Sequence, residues 1–436
     1  MLWTIAHREK FRVGWRPTIA QLLKPFQKSA RMTSNLSWLD HDASAAQRSL
    51  RLLSFFEERE ARDELGIGGV RDAIADQLFP GTSTIQTRLR YVFFIPWLLD
   101  RLETRATSAA SFSGAAREAE NRLLSALTKN VPLSEIGVIG RESGSALKRL
   151  PSSVYWAALG SWGLRKTDGS LQQYFSQADQ RYEMRRLQRR HHDEEGHNAD
   201  SSGRAWHMQL LKLCSPDFPG NATLDLTRKE AEFLLDRWRY SHPESLLTWL
   251  AIDATRGEDI ARSERIWEHP RKAEFPAWIR KLIDDGHRFD VAVRGAALLY
   301  NLQLAQLDDR QELASGYAEE LATWATEDLP VCHGWSLPKF WETVLGKGHT
   351  ISPITQRFVE QWLVIAIGEG HRVGESESAR NLIRERESRL KKARSRFSNR
   401  AARSQWGGKA GLTPLSYRWP TASDFLQEWH AGWKQA

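Results

Sequence analysis

Apolar side chains recur at helical spacing along nearly the whole chain, and that pattern predicts the elements. Residues 40–60 place Ala46, Leu50, Leu53 and Phe55 or Phe56 on one face behind Asp40 or Asp42, either of which can cap a helix. After Gly66 the pattern restarts with Val70, Ile74 and Leu78 and stops at Pro80-Gly81. Thr82 or Ser83 can cap a second segment carrying Ile85, Leu89 and Val92 on one face, which Pro96 kinks or ends. Further helical runs are expected over 101–128 and over 146–166, where Pro151 stands at a first turn. Others are expected over 228–240, 243–253, 291–307 and 378–404. Residues 291–307 are apolar on most sides, as a buried helix would be. No stretch of alternating β-branched residues interrupts the series, so the expected fold is mainly α and multi-helical, with no large sheet.

Breaks in the pattern suggest an organisation. Residues 181–203 begin basic, end acidic and finish in Ser and Gly, as a helix running into an exposed loop would. Three parts are therefore expected: an N-terminal helical domain over 32–190, a central one over 204–330, and a C-terminal one over 335–436. Residues 1–31 carry Arg8, Lys10, Arg12, Arg16, Lys24, Lys28 and Arg31 against Glu9, and have no long apolar stretch. They read as a basic extension or a mis-assigned start ahead of a domain opening at Met32. A basic tail that contacts a partner is the alternative.

Composition narrows the function classes. The 436 residues carry a net charge of +8 and 19 Trp. That balance favours a polyanionic partner, and the aromatics favour a well-packed core over disorder. Cys214 and Cys332 are the only cysteines and form no CxxC pair, so neither a disulfide framework nor a cysteine zinc site is expected, and the location reads as cytoplasmic. No apolar run is long enough to span a bilayer, so no membrane partner is expected.

Four stretches could carry chemistry. Ala73–Arg90 has the order of a helix-turn-helix: AIADQL, then FPGT, then STIQTRLRYV. Its second helix would present Ser83, Gln86, Thr87, Arg88 and Arg90 to base edges or phosphates. Its structural alternative is a pair of packed helices with Arg88 and Arg90 bonded to Asp72 or Asp76. Asp72 and Asp76 stand four apart on one helix face, and with Asp63 and Glu64 they could share a divalent metal in a nuclease. Salt bridges to Arg62, Arg71 and Arg88 account for the same carboxylates without one, so no metal or other cofactor is assigned. His191, His192, Asp193, Glu194, Glu195 and His197 are contiguous and polar, as in a solvated loop. The strongest charge signal lies between Arg380 and Lys409, where eleven cations face only Glu385 and Glu387. Within it Arg384, Arg389, Lys391, Lys392, Arg394, Arg396 and Arg400 surround an apolar line of Leu390, Ala393, Phe397 and Ala401. One face could dock while the others neutralise phosphates without reading sequence. An acidic partner subunit would satisfy the same face. No GxxxxGK[ST], GxGxxG or GxSxG occurs; LGIGGV at 65–70 lacks the lysine of a phosphate loop, so any ATP hydrolysis falls to another protein.

Several of these stretches together resemble a bacterial family defined by a domain of unknown function. The matching residues are SNLSWLD at 34–40, RDELGIGGVRDAIADQLFPGTSTIQTRLRYVFFIPW at 62–97, LKRLPSSVYWAALGSWG at 147–163, RGAALLYNLQLA at 294–305 and YRW at 417–419. The resemblance spans about 32–436, excludes the first 31 residues and supplies no catalytic residue. It implies a place near phage-defence genes, beside helicases and modification enzymes. The expectation is a nucleic-acid-associated accessory protein of an antiphage system, contacting DNA rather than RNA and possessing no cofactor, with a helicase or other defence subunit as partner. A metal-dependent nuclease and a helical scaffold for an acidic subunit are the alternatives.

Overall fold

The computed structural model describes residues 63–195 and 204–435. The basic extension, the expected helix over 40–60 and residues 196–203 lie outside them. Sixteen α-helices and no strand occur among the described residues, with one isolated bridge between Arg165 and Trp206. The mainly α expectation therefore holds.

A long helix organises one part of the core. This is α10 (Ala277–Leu307), which contains the apolar stretch 291–307 and buries residues on all sides from Ile279 to Ala305. It packs against α1 (Gly68–Leu78), α11 (Gln311–Thr323), α13 (Pro353–Glu369) and α14 (Glu377–Lys391). Aromatic N–H groups lock these neighbours to its backbone. Trp324 donates to Val291 O and Trp362 to Ala292 O, at 2.9 and 2.7 Å. Burying a large indole this way satisfies its polar edge. Asn301 ties the later chain to the same helix, donating to Ala410 O and accepting from Ala410 N and Trp406 Nε1.

A second layer gathers around α2 (Tyr91–Thr104), whose residues are buried from Tyr91 to Leu99. Against it lie α3 (Ala109–Asn130), α4 (Pro151–Ser161) and α7 (Met208–Lys212). The short α5 (Leu171–Ser176) and α6 (Ala178–Glu195) rest on α3. Pro151 begins α4, as expected of a residue with fixed φ and no N–H. Pro96 lies within α2 and the helix continues to Thr104. The last helix, α16 (Trp419–Trp433), packs on α8 (Arg228–Ser241) and α9 (Leu246–Ala254). Thr227 and Glu230 form a capping box at the start of α8. The remaining helices are α12 (Leu337–Leu345) and α15 (Arg400–Ser404). One continuous apolar cluster runs through residues from all three expected parts, from Leu65 to Trp429.

Three expected elements differ. Residues 191–195, expected as part of a solvated loop, continue α6 to its end, and His197 lies outside the described residues. The second helix of the helix-turn-helix does not form: residues 82–90 are turns, and the helix starts at Tyr91. Their backbone groups find side chains instead. The Tyr155 hydroxyl accepts from Thr87 N and Arg88 N and donates to Arg88 O. Glu428 accepts from Leu89 N, and Gln86 bonds back to Ser83 N and Gly81 O. A helix here would have to give up these bonds, and the buried N–H groups would need new partners.

The Arg-rich helix over 378–404 is also broken. The α14 helix ends at Lys391, and Lys392 takes φ 52°, a left-handed conformation that ends the run. The buried Glu387 carboxylate then accepts from Ser395 Oγ and Arg396 N, folding the chain back before α15.

Candidate polyanion-binding surface

The turn after α1 is built from the residues that sequence reasoning offered as readers of DNA, and the fold uses most of them internally. Gln86 is buried, and the Thr87 hydroxyl donates to Gly137 O at 2.7 Å. Ser83 is half-buried. Arg88 is shared between Glu135 and Glu428, at 2.6 and 2.7 Å. Arg90 reaches Glu230 at 3.0 Å and Thr223, and lies over the Phe94 ring. Neither guanidinium meets Asp72 or Asp76, as the structural alternative supposed. Burial raises the Glu428 carboxyl to about 7 despite Arg88 and the Leu89 N–H.

The four carboxylates proposed for a metal are each spent locally. Asp63 accepts from the N–H groups of Leu65, Ile67 and Gly68 and so caps the entry to α1. Burial, the largest influence on it, still raises its pKa. Glu64 receives Lys391 and Arg396, at 3.3 and 2.8 Å. Asp72 pairs with Arg71 and Arg418, and Asp76 with Arg418. Among the described residues, no group of three or more His, Cys, Asp or Glu converges to hold a metal. Both cysteines are free thiols. Arg418, at φ 64° before α16, is the clamp that sequence reasoning missed; its only signal was membership of the YRW motif.

The Arg-rich segment divides into two populations. One is structural. Arg386 is buried and donates to Leu65 O, Gly66 O and Thr355 Oγ1 while lying over Phe358. Lys391 and Arg396 hold Glu64; Arg396 also reaches the Tyr300 hydroxyl, and Arg403 pairs with Asp308 at 2.9 Å. The other population faces solvent. Arg384, Arg389, Arg394, Arg400 and Lys409 are exposed, and none forms an ion pair with another described residue. Lys392 is exposed beside them. Among the described residues Arg384 has only the Asn381 amide oxygen, at 3.1 Å. Its neighbour Arg380 donates to Gly374 O and Gln306 Oε1, and burial together with the Arg384 charge pushes its pKa down. Two guanidiniums at i and i+4 with only neutral partners repel each other, and an anion between them would relieve that.

No described helix is long and apolar enough to cross a membrane. Residues 33–432 match the family of unknown function DUF6361, and the chain belongs to it. No curated protein and no solved structure matches the chain.

Proposed function

Within that family, we propose that this chain is a nucleic-acid-binding accessory protein that grips phosphates through Arg384, Arg389, Arg394 and Arg400. One observation carries the reading: these cations stay exposed and unpaired with any described carboxylate, while their neighbours Arg386, Arg396 and Arg403 are consumed inside the fold. Of the acids between 380 and 409, Glu387 is buried and satisfied, and only Glu385 remains to offset them. Contacts of this kind position a backbone and carry no sequence information, which suits a protein acting beside a helicase or other subunit that supplies the chemistry. The resemblance to a family found near phage-defence genes supports bacterial antiphage defence as the setting and DNA as the polyanion.

Anisotropy titrations of a fluorescent DNA duplex against NaCl test this. Each phosphate neutralised contributes about 0.9 to the fall of log affinity with log salt, so four contacts give a slope of about −4. The variant R384E/R394E/R400E should weaken binding about a hundredfold at low salt and flatten the slope by about 3. Unchanged affinity and slope would overturn the proposal, as would equal preference of the wild type for an RNA duplex in competition.

A further inference from the structure

The helix α13 is apolar on two sides. Phe358, Val359, Trp362, Leu363 and Ala366 face the core. Outside that face Val364 is 72% exposed, Ile354 41% and Ile367 40%. A surface helix normally turns charge outward, and its antiparallel neighbour α14 does so. The side chains of α13 and α14 leave a groove between them. One stretch, of about 420 Å³, is lined by Val364, Ile365, Ser378 and Asn381. The next, of about 240 Å³, is lined by Ile354, Arg357, Phe358 and Arg389. Gln361, Leu382 and Glu385 line both, so the two form one trough. From Ile354 to Ile365 it runs roughly 17 Å, about three turns of a helix.

Charge along the trough is graded. Arg357 and Arg389 stand exposed at one end, and neither pairs with a described carboxylate. Glu385 lies in the middle, and Ser378 and Asn381 are neutral at the other end. Glu360 is already engaged by the Trp341 indole. We propose that this trough is a docking site for an amphipathic helix of a partner protein. Its apolar residues, at i, i+3 or i+4 and i+7, would cover Ile354, Val364, Ile365 and Leu382, and its acidic end would meet Arg357 and Arg389. The charge gradient fixes the direction in which the helix lies. The site shares Arg389 with the phosphate-binding set and adjoins it at Arg384, which donates to Asn381.

The probe is a pair of synthetic amphipathic peptides of about 18 residues, identical except that one ends in a Glu cluster and the other in a Lys cluster. The full chain should bind the Glu-ended peptide, and the Lys-ended one at least about tenfold more weakly. V364D, at an exposed position, should cost about tenfold, and R357E should reverse the preference between the peptides. R394E/R400E should weaken DNA binding and leave peptide binding unchanged, which separates this site from the nucleic-acid reading. Absence of binding, equal binding of both peptides, or indifference to V364D would overturn the proposal. So would a benzophenone at position 364 that crosslinks to the same chain or to a second copy rather than to the peptide.

Discussion

Glu120 shows how single buried side chains set the chemistry of this fold. It sits on α3, is 3% exposed, and accepts the N–H and hydroxyl of Ser152 at the start of α4, both at 2.8 Å. Burial outweighs these bonds and raises its carboxyl from 4.5 to about 7. The folded state therefore holds a proton that the unfolded chain releases near 4.5, and stability falls as pH rises from about 4.5 to 7. A shift of that size is worth about 3 kcal/mol. Glu428 titrates over the same interval, so E120Q should remove about half of the slope in urea melts taken across this pH range; an unchanged slope would exclude Glu120 as one of its sources. Little of this was legible in the sequence. Arg88 and Arg90 were recognised as groups needing carboxylates, but their partners, Glu428 and Glu230, lie 340 and 140 positions away. Local spacing offered Asp72 and Asp76, which the fold gives to Arg418. Ion pairs between distant segments leave no periodic trace.

Helices were the most readable features. The runs behind α3, α4, α8, α9 and α10 were visible because apolar side chains repeat at the helical period. Two of the misjudged elements share a cause. In both 82–90 and 392–399 the apolar spacing is helical, but side chains from elsewhere claim the backbone: Tyr155 and Glu428 in the first, Glu387 in the second. This has a consequence for the Arg-rich segment, where neighbouring cations look equivalent in sequence. Arg394 is exposed, whereas Arg396 bridges Glu64 and Tyr300. R396E would set a new carboxylate against Glu64 and should cost about 3 kcal/mol in chemical denaturation. R394E should stay within about 0.5 kcal/mol. Equal costs at the two positions would show that the Glu64 pairing contributes nothing to the fold.

At the scale of the whole molecule, the abundant tryptophans act as ties between distant stretches. Trp162 donates to Pro80 O, Trp97 to Leu210 O, Trp419 to Ser263 O and Trp429 to Ala231 O. The count was plain in the composition, whereas the pairing required the fold. The ring of Trp324 leaves no room at its contact with α10: a Cβ built on Gly295 would lie 2.2 Å from it. G295A should therefore cost about 3 kcal/mol, read as a lowered Tm with loss of the near-ultraviolet tryptophan signal. Retention of both would mean that the indole can move aside.

Glu428 accepts the Leu89 N–H and the Arg88 guanidinium across almost the entire length of the chain. During synthesis, the turn between α1 and α2 must wait for that carboxylate until α16 has been translated. Contacts of such separation close slowly, and until they close the apolar flanks around Phe79 and Trp162 lack the cover that Trp419 and Phe425 bring. A nascent chain stalled before α16 thus presents sticky surface beside an open loop, so chaperone demand should fall on the interval before α16 leaves the ribosome.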